Sequence, residues 1–526
     1  MKFAARIFFL LSFCGVAIAQ TTTPTFPSAL KNVVVIVQEN RTPDNLFHFL
    51  TPLCTQNTTT CIPSPVTSSC YDVSNCGLSN QSGTVVPVTL TGVNMKGSVD
   101  PDHSHKGFIN MCDPNSSGVC QMDGAYHTSS NSYAFVNNPV VTNYDGSTGH
   151  LLDPYLTFAE TYGWANFMYQ TNQGPSYPAH QFLFSATSAL SATDDGNATF
   201  VSENFSSGTG SGCLASSGSI GHILSPNLTA TCPSGCNCFF GNTVQECPVT
   251  NVLTGSVGSF CVLPPASGGH KSIAALLDPA GLSWKYYAPS AGSIWTAPNA
   301  IKNICEPAFN TSGNLFCSGT EWNAKVDVAN LGTDILTDIS SCNLSRVSWV
   351  IPNGTWSDHA GSTDIYGPSW VAAIINAIGN STCTDSSGNT YWQDTAIIVT
   401  WDDWGGWSDN QPAVFLQPQP PCTSDDCPGD YQYGFRVPLV VVSAWTPSGY
   451  INNTTHDFGS ILRMIEDLNG LGRLGFADSR ASSDLVNFFS RTTPRTYSTV
   501  VAVEPASFFT GMAASGVAST APDDDD

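Results

Sequence analysis

The chain has 526 residues, and 41% of them are hydrophobic, enough for a large buried core. Only 11% are charged, against the usual quarter, and 17 Lys and Arg face 40 Asp and Glu for a formal net charge of −23. No basic cluster interrupts that acidity, which excludes a nucleic-acid partner held through its phosphate backbone.

Residues 1–19 read as an export signal. Lys2 and Arg6 precede a largely apolar stretch, and Ala17-Ile18-Ala19 fits a small-x-small cleavage site. The mature chain would begin at Gln20, in a secreted or periplasmic compartment. No later run reaches membrane-spanning length. Cysteine usage agrees: with Cys14 removed from the 19, an even number remains, as a disulfide framework requires. Cys54/Cys61, Cys70/Cys76, Cys112/Cys120 and Cys422/Cys427 are the plausible local bridges. The cluster Cys232, Cys236 and Cys238 lacks standard zinc spacing and reads as bridges too.

Buried-strand candidates follow in order: residues 33–37, a weaker run at 282–287, then 347–351, 396–400 and 439–443. Each is a short apolar run of the kind found in a parallel sheet covered on both faces. Helical spacing appears at 154–169, 369–378 and 458–468. Alternation of the two predicts an α/β fold with a mainly parallel central sheet flanked by helices. Its strands come from both ends of the chain, so residues 20–500 form one domain. Residues 191–263, rich in Cys, Gly and Ser, read as a disulfide-stapled insertion or cap. Residues 45–98 have similar character. Residues 501–526 end in four Asp and read as a disordered acidic tail.

Two strand candidates end in acidic ligand-type residues: Glu39-Asn40 after the first, Asp402-Asp403 after the run at 396–400. Ligands of open α/β sheets bind at the carboxyl ends of strands. If these strands are neighbours, four oxygen-bearing side chains meet there as a hard-cation site for Ca, Mg or Mn. Taken singly, each pair also suits a solvated strand end or a cap. Ser176 stands between Pro175 and Pro178 on a rigid turn, where a base or metal could activate it as a nucleophile. The pattern is not a G-x-S-x-G elbow. Asp100-Pro101-Asp102-His103-Ser104-His105 sets two His among carboxylates, and Asp358-His359 follows the run at 347–351. Both could supply an acid for a leaving group or a positive charge near a transition state; each also suits a surface or loop-stabilising His. His456 precedes an amphipathic helix and reads as packing or capping. A secreted, non-catalytic binding or adhesive protein is the alternative for a chain this rich in Cys and Trp.

Gln38-Glu39-Asn40-Arg41-Thr42-x-Asp44 resembles the Q-E-N-R-[ST]-x-D signature of the secreted phosphoesterase family, which includes non-specific phospholipases C and certain acid phosphatases. Asp100-Pro101-x-His103, Met122-Asp123-Gly124, Pro175-Ser176-x-Pro178, Asp358-His359, Thr400-Trp401-Asp402-Asp403-x-Gly405-Gly406 and Tyr433 to Pro438 are similar to its later blocks, in order. The resemblance implies an alkaline-phosphatase-like α/β sandwich and hydrolysis of a small phosphate ester or phospholipid headgroup. It also implies a divalent metal on Glu39, Asn40, Asp402 and Asp403, and a phosphoserine formed on Ser176. His103 and His359 would contact phosphoryl oxygens or assist the leaving group. His105 is a further candidate for substrate contact, and His180 reads as either a phosphate contact or packing. Two departures stand out. Residues 405–411 lack the His that many phospholipase C relatives carry after G-G, and Ala179-His180 replaces the Asn-Arg of plant relatives.

Overall fold

The computed structural model describes residues 25–56, 61, 66–116, 119–205, 210–229, 231–361, 364–414 and 433–516. The expected signal and Cys422/Cys427 lie outside these residues. The apolar run after Asn32 forms a strand, Asn32–Gln38 (β1), buried along its whole length. Its sheet also holds Gly163–Ala165 (β2), Trp284–Tyr287 (β3), Val326–Asp327 (β4), Val347–Val350 (β5), Thr395–Trp401 (β6), Leu439–Val442 (β7) and Tyr450–Asn452 (β8). The spatial order is β4-β3-β5-β1-β6-β7-β2-β8. Neighbours are parallel except at β7, which runs against both β6 and β2.

Seven helices frame the sheet and the site. They are His105–Cys112 (α1), Asp153–Thr161 (α2), Ser176–Ser185 (α3), Asp334–Ser340 (α4), Gly367–Gly379 (α5), Phe458–Asn469 (α6) and Ala506–Ala514 (α7). Successive strand residues point to opposite faces. Tyr286 packs on Phe184 of α3, with ring centroids 5.6 Å apart, while the Tyr287 hydroxyl donates to Asp338 of α4 at 2.6 Å. Helices thus cover both faces, as unbroken apolar strands demand. No helix among the described residues is long and apolar enough to cross a membrane.

Three expectations need correction. The helix expected over 154–169 stops at Thr161. Gly163 then opens β2, where an added Cβ would sit 2.6 Å from the Phe488 ring, so close packing rather than helical periodicity decides this segment. The tail is not disordered from residue 501. Helix α7 buries Phe509 against Trp356 and Trp370, with centroids 5.7 and 5.1 Å apart. Cysteines 54, 61, 70 and 76 pair as Cys54–Cys70 and Cys61–Cys76, because the Cys54 N–H bonds to the Tyr71 carbonyl and brings Cys70 alongside. Cys112–Cys120 is bridged as expected.

Residues 200–250 hold a four-stranded antiparallel sheet built from Phe200–Val201, Ile220–Pro226, Val244–Thr250 and Asn237–Phe239. Cys213–Cys261, Cys232–Cys238 and Cys236–Cys247 staple it, so each of its six cysteines is bridged rather than bound to zinc.

Buried charge is the other constraint. The Arg436 guanidinium is fully buried. It donates to Asp409 Oδ1 at 2.7 Å and to the Asn166 and Asp72 carbonyls at 2.7 and 3.0 Å, and it lies 3.3 Å from Asp72 Oδ2. Removing one partner of such a network strands the other charges. Elsewhere burial raises Asp394 and Asp457 to about 6, and burial with nearby Asp478 raises Glu466 to about 8. An acid raised in this way keeps its proton longer when folded. Its contribution to stability is complete below the unfolded pKa and is lost as pH rises through the folded value.

Arg436→Met is therefore expected to destabilise the fold by about 3–5 kcal/mol in denaturant titrations. The melting temperature should fall as pH is raised from about 6.5 to about 8, above the range in which the buried neutral His180 and His456 gain stability with pH, and Glu466→Gln should flatten that slope in calorimetry. A melting temperature that climbs over this window would contradict the buried-acid account.

Candidate active site

The carboxyl ends of β1 and β6 are level because Gln38 pairs with Trp401. The residues that follow must meet. The Asp402 N–H donates to the Gln38 carbonyl at 2.9 Å, and the Asn40 N–H donates to Asp402 Oδ1 at 3.0 Å. Asn40 leaves the strand at φ 62°, a left-handed conformation that Asn tolerates better than most residues. Gly405 also has φ 62°, and a Cβ there would stand 2.2 Å from the Asn40 carbonyl oxygen. Glycine lets the loop after β6 fold back onto Asn40. Glu39, Asn40, Asp402 and Asp403 are all fully buried.

His103 and His359 converge on the same amide. His103 Nδ1 lies 2.9 Å from the Pro101 carbonyl oxygen and His359 Nδ1 lies 2.6 Å from that of Ala360. A carbonyl only accepts, so each neutral ring carries its proton on Nδ1 and offers a lone pair at Nε2. Asn40 Nδ2 donates to both Nε2 atoms, at 3.1 and 3.3 Å. That fixes the amide orientation and leaves Asn40 Oδ1 without a hydrogen-bond partner. The backbone beside His359 is clamped as well. Arg41 Nε donates to the Asp358 carbonyl at 2.7 Å, and the Asp358 N–H donates to Gln38 Oε1 at 2.9 Å. Burial raises Asp358 to about 6, opposed by the Tyr155 hydroxyl, Arg41 and the Trp401 indole.

Ser176 is the first residue of α3. Its Oγ donates to Asp403 Oδ2 at 3.3 Å, and Asp403 Oδ1 accepts from the Gly405 N–H at 2.7 Å. The positive end of the helix dipole is aimed past this hydroxyl, a favourable place for an anion. Gln170 holds the turn in front: its Nε2 donates to the Asn172 and Gly174 carbonyls at 2.9 and 3.1 Å, and its Oε1 accepts from the Trp404 N–H at 3.1 Å. Asn204, from the inserted segment, accepts the Tyr177 N–H at 2.9 Å and so caps the same helix.

His180 lies one turn further along α3 and is fully buried. Its Nε2 is 3.4 Å from Glu39 Oε1 and 3.7 Å from Asp402 Oδ2. Burial pushes the imidazole down to about 4 although Asp402 pulls it up. Burial, then Asp402 and Asp403, raise Glu39 well above its usual value. Asp402 stays below its own despite burial, held by His180, Glu39 and Ser176. Among the described residues no Lys or Arg forms an ion pair with Glu39 or Asp402. Glu39 Oε1, Asn40 Oδ1 and Asp402 Oδ2 are buried with no hydrogen-bond partner. The ligand atoms of Glu39, His180 and Asp402 lie within 4.8 Å of one another. Orphaned oxygens of this kind fit a divalent cation, which would neutralise carboxylates that burial otherwise destabilises.

Of the residues singled out from the sequence, Glu39, Asn40, Asp402, Asp403, Ser176, His103, His359 and His180 come together. His105 goes elsewhere: it opens α1, its Nδ1 lies 3.5 Å from Glu246 of the inserted sheet, and its ring meets Phe239 edge-on. Gln170, Asn204 and Trp295, whose ring centroid lies 6.0 Å from that of His359, carry no motif in the sequence. With the helix ending at Thr161, Gln170 directly follows the Met168–Tyr169 strand, close to the turn that carries Ser176.

The non-hemolytic phospholipase C of Burkholderia pseudomallei is 26% identical over 233 residues, covering 38% of this chain and 32% of that protein. Phospholipase C A of Mycobacterium tuberculosis is 27% identical over 207 residues, 36% of this chain and 37% of its own length. The chain thus spans about a third of the length of the curated relatives it matches. A solved alkaline phosphatase superfamily protein from Vibrio parahaemolyticus superposes with a TM-score of 0.30 at 12% identity, over 62% of this chain and 64% of that one. The Phosphoesterase family model matches residues 30–472, and the chain, with its motifs gathered at one sheet edge, belongs to that family.

Proposed function

We propose that the protein is an exported hydrolase of phosphoric esters that works through a phosphoserine on Ser176. The observation that carries this reading is the meeting of Ser176, the Asn40-bridged pair His103 and His359, and the Glu39–Asp402–Asp403 carboxylates at one edge of the sheet. The names of the two relatives described above, both phospholipases C, support an ester of phosphoric acid as substrate. Both a small phosphomonoester and a phospholipid headgroup fit the chemistry. Eight disulfides among the described residues favour an oxidising, extracellular or periplasmic compartment.

Glu39, Asn40 and Asp402 would hold a divalent cation, with Asp403 reaching from the same loop to Ser176. When bound, the cation neutralises phosphoryl oxygens and favours the serine alkoxide. The rest falls to the chain itself. The Ser176 hydroxyl already points its proton at Asp403 Oδ2, and the α3 dipole favours negative charge on the arriving phosphoryl group. Ser176 Oγ forms the new P–O bond as the bond to the leaving oxygen breaks. His359 would give that oxygen its proton from the imidazolium form, in which an Nε2 proton replaces the hydrogen bond that the neutral ring accepts from Asn40 Nδ2. His103, protonated at Nε2 in the same way, would steady a phosphoryl oxygen from the other side of Asn40. Water then attacks the phosphoserine, releasing phosphate and restoring the Ser176 hydroxyl. Uncatalysed hydrolysis of such esters is slow enough to need up to ~10²¹-fold acceleration, so several of these effects must act together.

Ser176→Ala should lower turnover of a chromogenic phosphate ester by at least about 10³-fold while the melting temperature stays near wild type. Wild-type-like turnover in that variant would remove Ser176 from the mechanism. Dialysis against a chelator should abolish activity and a divalent cation should restore it, whereas Asp402→Asn should resist rescue. Activity indifferent to the chelator would rule out the cation.

A further inference from the structure

We propose that His180 supplies a nitrogen ligand to this cation site, so that the site takes zinc or another imidazole-binding transition metal in preference to calcium or magnesium. The inference rests on the cation reading above and narrows it.

The separations carry the argument. His180 Nε2 lies 3.4 Å from Glu39 Oε1 and 3.7 Å from Asp402 Oδ2. Charge-assisted hydrogen bonds run shorter, at about 2.7–2.9 Å. Two ligands each about 2.1 Å from one metal in tetrahedral geometry stand about 3.4 Å apart. The direct bond that His180 Nε2 makes to Glu39 Oε2 is a long one, at 3.4 Å, and the spacing matches ligands around a common centre. Glu39 Oε1 and Asp402 Oδ2, both near Nε2, are buried with no hydrogen-bond partner, and Asn40 Oδ1 is a third such oxygen in the same residue group.

Helical spacing supplies the second observation. Ser176 and His180 are four residues apart on α3 and share one face of it. The helix that presents the nucleophile thus also presents an imidazole to Glu39 and Asp402. No protein group holds His180 Nδ1, so the ring is oriented by packing, with Trp295 stacked at 6.5 Å. Calcium and magnesium take oxygen ligands almost alone, whereas mixed imidazole and carboxylate sets suit zinc and its neighbours. The four oxygen residues by themselves would leave calcium, magnesium and manganese equivalent. The imidazole breaks that equivalence.

The test reads metal binding rather than turnover. Wild type, His180→Gln and His180→Ala, each checked for an unchanged thermal melt, are stripped with a chelator. They are then equilibrated by dialysis with Zn²⁺, Co²⁺, Ca²⁺ or Mg²⁺. Wild type should hold Zn²⁺ at least about 10-fold more tightly than Ca²⁺ or Mg²⁺. The variants should lose at least about 10–100-fold in Zn²⁺ affinity, the loss seen when a group that merely orients a ligand is removed. Their Ca²⁺ affinity should move by less than about 3-fold, since Ca²⁺ does not depend on the imidazole. X-ray absorption of the Co²⁺-loaded wild type should show a nitrogen ligand, a result that stands even if both variants misfold. Calcium or magnesium bound as tightly as zinc, or a set of ligands made of oxygen alone, overturns the role of His180 and leaves the cation reading intact. A wild type that binds none of the four overturns both.

Discussion

The structure depends on one pairing, β1 against β6, parallel and in register from Asn32 with Thr395 to Gln38 with Trp401. Because the two strands end level, Glu39 and Asn40 are delivered to Asp402 and Asp403 without further choice by the chain. A slip of one residue would turn each of these side chains to the opposite face of the sheet. Polar bonds at the two ends oppose that slip: Asn32 Nδ2 donates to Asp394 Oδ1 at 3.0 Å, and the Asp402 N–H donates to the Gln38 carbonyl at 2.9 Å. The apolar runs bury the pairing, and their polar ends set where it stops.

Burial has a cost that the chain meets in two ways. Around Arg436, three carboxylates share a guanidinium that also satisfies two backbone carbonyls. Among the described residues no guanidinium or ammonium answers Glu39 and Asp402 at the strand ends, and a neutral imidazole stands there instead. The first arrangement holds its cation within the protein. On the proposed reading the second would take one from outside, which would separate a scaffold from a site built of similar residues.

The sequence was legible where a single period ruled. β1, β5, β6 and β7 are short apolar runs with no competing pattern, and helices α5 and α6 have clean helical spacing. It failed where two patterns overlapped. The stretch after Thr161 keeps apolar residues at helical intervals, yet Gly163 and its packing against Phe488 commit it to the sheet. Phe508 and Phe509 in the tail were overshadowed by the Asp run that follows. The cysteines near the first strand obey the backbone path rather than their spacing. Within the site, motif residues were found and their supports were not: Gln170 and Asn204 act through backbone groups that belong to other segments, and no local pattern reports such partners.

Asn204 reaches from the base of the disulfide-stapled insertion to the second N–H of the helix that begins with Ser176. The inserted segment is therefore bonded to the helix that carries Ser176. Insertions of this kind are usually free to drift in length and composition, because loops tolerate change. Here drift at the root would loosen the helix start that positions the serine. Substitutions that spare this helix start therefore belong in the outer strands of the insertion, with Asn204 at its root left in place.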